Sequence, residues 1–153
     1  MKALIFSDAH GNFQSIFDAV TYEQSADMII FAGDVQHDAD DILRSFPDTP
    51  VEYVLGNNDW LVRGVPNDRV FNFGGKCIFL THGHMYGVKQ SLYKLRQKAR
   101  DFEADICIFG HTHEPFCEEQ DGILVLNPGS SRFTYMVLNI NNGKVEAELK
   151  KRP

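Results

Sequence analysis

Short apolar runs broken by polar, glycine-containing stretches dominate the chain. Lys2 to Ser7, Asp27 to Ala32 (with Met28-Ile29-Ile30-Phe31 at its centre) and Val51 to Leu55 are such runs, and runs this short read as buried strands. After the first, Phe13, Ile16, Phe17 and Val20 recur at helical spacing with Asn12 in N-cap position. A shorter helix is predicted around Asp40 to Phe46, stopped by Pro47. The first third therefore reads βαβαβ, which calls for parallel strands and right-handed crossovers.

Beyond a loop over residues 60–68, expected near any site at the strand ends, Arg69 to Phe73 and Lys76 to Thr81 flank Gly74-Gly75, a hairpin signal. Val88 to Glu103 is the longest helical pattern, with Leu92, Leu95, Ala99 and Phe102 on one face. Asp105 to Phe109 reads as a further buried strand. Four β segments follow, Phe116 to Glu119, Ile123 to Leu126, Tyr135 to Ile140 and Lys144 to Leu149, with Asp121-Gly122 and Asn142-Gly143 as type I′ turns. They are expected to form an antiparallel meander, so that the whole is a mixed α/β system.

The 153 residues suit a single domain spanning 1–153, able to bury roughly 68–70% of its unfolded surface. A net charge of −6, with no basic run beyond Lys150-Lys151-Arg152, argues against a nucleic-acid surface. It leaves room for a small phosphorylated substrate. The start of the chain lacks the pattern of a signal peptide, and no apolar run approaches the ~20 residues of a membrane span. Cys77, Cys107 and Cys117 are odd in number and read as reduced, apolar core groups in a cytoplasmic protein.

Polar residues gather where the apolar runs end. Asp8/His10, Asp34, Asn57, His82 with His84, and His111/His113 follow five strands and contain five of the six histidines. On extended backbone His111 and His113 would point the same way, with Gly110 easing the turn at the strand's end. Carboxylate, imidazole and amide ligands without thiolate suit Mn²⁺, Fe or Zn²⁺. Seven such ligands exceed what one catalytic ion needs. They match two ions roughly 3.5–4 Å apart that share a carboxylate, for which Asp34 stands in the natural position.

The motifs Asp8-Ala9-His10, Gly33-Asp34, Gly56-Asn57-Asn58-Asp59, His82 and Gly110-His111-Thr112-His113 occur in the order DxH, GD, GN, H, GHxH. In this the chain resembles the calcineurin-like metallophosphoesterases. Together with Thr81-His82-Gly83-His84 and Asn127-Pro128-Gly129-Ser130, they make it similar to the small bacterial and archaeal phosphodiesterase branch. The resemblance implies a four-layer α-β-β-α sandwich of two mixed sheets with a dimetal site at its edge. It also implies Asp8, His10, Asp34 and His113 on one ion, and Asp34, Asn57, His82 and His111 on the other. Mn²⁺ is the first choice of metal, with Ni²⁺, Fe²⁺ or Zn²⁺ as alternatives. The implied reaction is hydrolysis of a phosphodiester by in-line attack of a metal-bridging hydroxide.

Many family members carry a histidine where this chain has Asn58. An amide donates hydrogen bonds but delivers no proton, so substrates with good leaving groups, such as aryl phosphodiesters, are expected. His84 is read as facing substrate or supporting its loop, and His37 as a loop histidine or a substrate contact. Asp59 is read as a support behind the ligands or a loop cap rather than a ligand. Residues 127–130 read as a structural turn, which the resemblance implies lies close to the metal histidines and shapes the site floor. Arg63 and Arg132 read by default as surface arginines, with pairing to a substrate phosphate as the alternative. Two other functions compete: a phosphomonoesterase or pyrophosphatase acting on nucleotides or phosphoprotein, and a noncatalytic interaction scaffold like the small retromer subunit. A homodimer is also considered.

Overall fold

The structure, a computed structural model, describes residues 1–35 and 37–153. Its elements run β1 (Lys2–Phe6), α1 (Phe13–Glu23), β2 (Met28–Phe31), α2 (Asp38–Ser45), β3 (Val51–Tyr53), β4 (Asp68–Phe73) and β5 (Lys76–Thr81). After a 3-10 turn at His84–Tyr86 come α3 (Tyr93–Asp101), β6 (Ile106–Ile108), β7 (Phe116–Gln120), β8 (Ile123–Asn127), β9 (Thr134–Asn141) and β10 (Lys144–Lys151). Asn12 caps α1 as its position predicts, its side chain accepting from the Ser15 N–H.

Two sheets form, ordered β10-β9-β1-β2-β3 and β4-β5-β6-β8-β7. In the first, β1, β2 and β3 are parallel, while β9 lies antiparallel to β1 and β10 to β9. In the second, β5, β6 and β8 are parallel, with β4 and β7 antiparallel at the edges. Both are mixed, as expected.

Alternation along the strands sorts the core into layers. Ala3, Ile5, Ile30, Met136 and Leu138 of the first sheet meet Ile78, Leu80, Ile106, Ile108 and Leu126 of the second. The first sheet's opposite face, with Leu4, Phe6, Ile29, Phe31 and Val137, packs on Ile16, Ala19 and Val20 of α1 and Ala39 and Ile42 of α2. The second sheet turns Phe79, Cys107 and Val125 toward Leu95 and Ala99 of α3. These are the four layers of an α-β-β-α sandwich. Among the described residues, no helix is long and apolar enough to cross a membrane.

Three expectations change. The long helix over 88–103 shrinks to α3, because Gly87 takes φ +64° and its carbonyl accepts from the N–H groups of both Gln90 and Ser91 (3.0 and 3.2 Å). Ser91 Oγ then accepts from the Tyr93 N–H at 3.1 Å, where the helix begins. The helical spacing still reports one buried face, since Val88 packs with Leu95 and Ala99. The meander is also replaced. The β7–β8 hairpin joins the second sheet and the β9–β10 hairpin the first, with β8 parallel to β6. Each hairpin is a local event at its Asp-Gly or Asn-Gly turn, whereas the choice of sheet edge depends on remote partners. Finally, only Cys107 is a core thiol; Cys77 is half-buried and Cys117 exposed.

Candidate metal centre

The carboxyl ends of five strands from both sheets converge on one edge of the sandwich. Loops after β1 carry Asp8 and His10, after β2 Asp34, after β3 Asn57 and Asn58, after β5 His82, and after β6 His111 and His113. All seven predicted ligand residues thus belong to one neighbourhood. Asp8, Asp34 and His82 are buried.

Two sets of ligand atoms lie within 4.8 Å of one another: Asp8, His10 and His113, and Asp8, Asp34 and His82. Asp8 Oδ1 is 3.1 Å from His113 Nε2 and 3.9 Å from His82 Nε2. Asp34 Oδ2 is 3.9 Å from His10 Nε2 and 3.6 Å from His82 Nε2. Both carboxylates therefore reach both sides of the cluster. The His111 ring lies outside these two sets but against His82, with centroids 5.1 Å apart.

The donor set fits cations. Asp8 Oδ1 is buried without a hydrogen-bond partner, a costly state unless something positive faces it. His82 Nδ1 donates to the Ala32 carbonyl at 2.6 Å, so in a neutral imidazole Nε2 carries a free lone pair. That nitrogen faces Asn57 Oδ1 at 3.0 Å, one acceptor against another, as two ligands of a shared cation would. His10 Nε2 and His113 Nε2 face each other at 3.3 Å. Burial, reinforced by His82, Lys89 and His84, lowers the His111 pKa to about 4, leaving its ring neutral and able to coordinate.

The carboxylates are held from behind. Asp8 Oδ2 accepts from Ser7 Oγ at 2.6 Å and from the His111 N–H at 3.0 Å. Asp34 accepts from the Asn58 N–H at 2.8 Å and from Asn58 Nδ2 at 2.6 Å. Asp59 is the loop cap that its position suggested: Oδ2 accepts from the N–H groups of Asp34 (2.7 Å) and Gly56 (2.8 Å). Asn127 forms the floor, donating to the Gly110 carbonyl and to Thr112 Oγ1, both at 3.0 Å.

The two histidines after β6 are not on extended backbone. His111 has φ +68° and His113 φ +62°, so period-two geometry does not orient them. Asp8, His10 and Asp34 are left-handed too, at φ +53°, +49° and +53°. Five of the predicted ligands thus occupy a conformation that non-glycine residues avoid, the kind of strain that concentrates at functional sites. Gly110 serves closeness rather than turning. Its φ is not positive, and a Cβ there would overlap Ser7 Oγ and lie 2.9 Å from both Ala32 O and Asp8 Oδ2.

His84 opens the 3-10 turn, its ring 5.4 Å from His82 and 6.1 Å from His111, and burial lowers its pKa. His37 is exposed and stands before α2. With Asn58, Asp59, Trp60, Leu61 and Val62 it lines a cavity of about 180 Å³. Arg63 and Arg132 are exposed. The sequence offered no signal for Ser7 or for Ser131, whose hydroxyl accepts from the Ser7 N–H (3.0 Å) and donates to its carbonyl (2.6 Å) across 124 positions. A larger cavity of about 500 Å³, between Val88–Leu92 and Thr112–Phe116, flanks the loop after β6.

Two mixed sheets with carboxylate and imidazole loops at a shared edge define an α/β metalloprotein. Residues 1–143 match the calcineurin-like phosphoesterase superfamily domain. A "probable metallophosphoesterase" of Bacillus subtilis is 32% identical over 152 residues, covering 93% of this chain and 86% of that protein. A "phosphodiesterase" of Methanocaldococcus jannaschii is 28% identical over 147 residues, 84% and 83% of the two chains. Among solved structures, a conserved uncharacterised Streptococcus pneumoniae protein described as a predicted phosphoesterase superposes with a TM-score of 0.84 (27% identity, 99% of this chain, 89% of that one). A single mutant of Vps29 from Entamoeba histolytica does so at 0.80, with 25% identity and full coverage of both. The chain belongs to the calcineurin-like phosphoesterase superfamily. By family it is a metal-dependent hydrolase.

Proposed function

We propose that the chain is a dinuclear-metal-dependent phosphodiesterase. The observation that carries this reading is Asp8 Oδ1, buried without a hydrogen bond and close to the histidine nitrogens of the cluster. Asp8, His10, Asp34 and His113 would hold one ion, and Asp34, Asn57, His82 and His111 the other. The reach of Asp34 Oδ2 toward both His10 and His82 supports its role as the shared ligand. When bound, the two ions supply Lewis acidity to the phosphate and lower the pKa of a water. Mn²⁺ is the first candidate, then Ni²⁺, Fe²⁺ and Zn²⁺, since N/O sites follow availability as much as affinity.

The residues around the ions set the preference. Asn58 stands at the family's histidine position, and its amide is engaged with Asp34. It holds that carboxylate and can offer its remaining N–H to a phosphate oxygen, but it has no proton to give a leaving group. General acid catalysis contributes about 10²–10⁴-fold, so esters that leave without protonation are favoured: aryl phosphodiesters over alkyl phosphomonoesters. His84, near His82 and His111, and His37, in a cavity with Asn58, are further candidates for substrate contact.

The likeness to Vps29 points to a second reading, a noncatalytic scaffold. Retention of all seven ligand residues favours catalysis, because buried carboxylates without cations are costly. The deciding experiment is chelation, reconstitution with Mn²⁺, Ni²⁺, Zn²⁺ or Mg²⁺, and assay against a panel of phosphomono- and phosphodiesters. Metal-dependent turnover fastest on aryl diesters is expected. Faster turnover of alkyl monoesters would favour a phosphomonoesterase, and failure to bind metal the scaffold.

A further inference from the structure

Trp60 is the chain's only tryptophan, and it is 78% exposed beside Leu61 at 71%. An indole carries a large apolar surface and stacks readily on planar rings, so its full presentation to water gains nothing within the fold. Nor does it sit on a slack loop. Asp59, immediately before it, is buried and clamps the backbone N–H groups of Asp34 and Gly56. The Asp59 N–H donates to the Gly56 carbonyl at 3.3 Å, and the Val62 N–H to the Asp59 carbonyl at 3.0 Å. The backbone that carries the indole is thus held on both sides.

Its position relative to the centre is equally defined. The cavity of about 180 Å³ that Trp60 lines with His37, Leu61 and Val62 is also lined by Asn58. Asn58 Nδ2 in turn lies 2.6 Å from Asp34 Oδ2. One side chain therefore separates the cavity from the carboxylate proposed to bridge the ions. A cavity of about 150 Å³ is enough for benzene, so a planar ring fits. The larger cavity near Thr112 shares no residue with the hydrogen bonds to Asp8 or Asp34.

We propose that Trp60 is the stacking platform for a planar aromatic ester group of the substrate, a nucleobase or an aryl ring, whose phosphate sits at the metal centre. This rests on the phosphodiesterase reading and adds a separate source of selectivity. Asn58 acts on the chemical step and so on kcat, whereas Trp60 acts on binding and so on KM.

The sole tryptophan makes binding visible without turnover. The Zn²⁺-loaded protein is titrated with phenyl phosphate and a nucleoside 5′-monophosphate, and in parallel with methyl phosphate and ribose 5-phosphate, following indole fluorescence. Ring-bearing ligands are expected to quench it and ring-free ones not to. By calorimetry, Trp60→Ala should weaken the ring-bearing ligands about 5- to 150-fold relative to the ring-free ones, and Trp60→Phe should restore most of the difference. The nucleoside and phenyl arms identify which ring the platform prefers. An unchanged ratio between ring-bearing and ring-free ligands in Trp60→Ala overturns the proposal. Hydrolysis with the wild-type aryl-to-alkyl KM ratio in that variant overturns it too, while leaving the phosphodiesterase reading intact. Ring-dependent quenching in a protein that hydrolyses no phosphoester supports the platform and refutes the activity.

Discussion

Replacing Gly110 with alanine tests how tightly the two sheets' loops are locked together. The φ of Gly110 is not positive, so alanine meets no backbone strain there. On entropy alone the change would stabilise the protein by about 0.4–1 kcal/mol. Sterics oppose it. The new methyl overlaps Ser7 Oγ and lies 2.9 Å from Ala32 O and Asp8 Oδ2. The least costly relief is to move the Ser7 hydroxyl, which breaks its bonds to Asp8 Oδ2 (2.6 Å) and to the Ala32 carbonyl (3.0 Å). A hydrogen bond to a charged group contributes about 1.5–3 kcal/mol and a neutral one about 0.5–1.5. Net of the entropy gain, Gly110→Ala should cost about 1–4 kcal/mol. The assay is denaturant unfolding of the metal-free protein, read in a double-mutant cycle with Ser7→Ala. Alone, Ser7→Ala loses the same two bonds; in the Gly110→Ala background it removes the severe overlap with Ser7 Oγ, leaving only the 2.9 Å contacts, and should cost far less than it does alone. Additive effects, or a Gly110→Ala protein within about 0.5 kcal/mol of wild type, would refute the reasoning.

His111→Ala and His113→Ala should each empty or weaken a different ion site and abolish most turnover; a variant with two bound metals and full activity would refute the assignment. Asn58→His should raise phosphomonoesterase activity by restoring a proton donor, so unchanged monoester kcat would remove Asn58 as the cause of the preference. Asp38→Asn tests a buried carboxyl whose pKa burial, helped by Asp41 and Asp59, raises to about 6 against the opposing bond from Gly11. The unfolded chain loses this proton near about pH 4, so wild-type stability falls as pH rises from there through about 6. The asparagine variant should be more stable by about 1–3 kcal/mol at pH 7.5, with the gain vanishing below about pH 4. Equal gains at both pH values would show that ionisation is not the cause.

Much of the architecture was legible because it is local. Apolar runs, the Asn12 cap and the Asp121-Gly122 and Asn142-Gly143 turns each depend on neighbours in the chain. The position of polar clusters at strand ends is likewise visible, and the structure brings all seven predicted ligand residues to one edge. What failed was the inference from local pattern to spatial partner. The helical spacing from Val88 to Phe102 reported a buried face correctly, but Gly87 starts a turn before the helix. The four β segments near the C-terminus alternate alike, yet they divide between two sheets.

The sequence by itself determined the types of the candidate ligands, their order and their attachment to strand ends, because side-chain chemistry and periodicity are properties of neighbouring residues. Tertiary structure decided how they are aimed. The left-handed φ of Asp8, His10, Asp34, His111 and His113 is tolerated because contacts from elsewhere hold it: Ser130 Oγ on the Asp8 carbonyl at 3.0 Å, the His111 N–H on Asp8 Oδ2, and Asp59 on the Asp34 N–H. The same packing leaves Trp60 in water beside Asn58. Such contacts join residues up to 122 positions apart. Only when the carboxyl ends of both sheets meet do two carboxylates and a set of imidazoles become one centre.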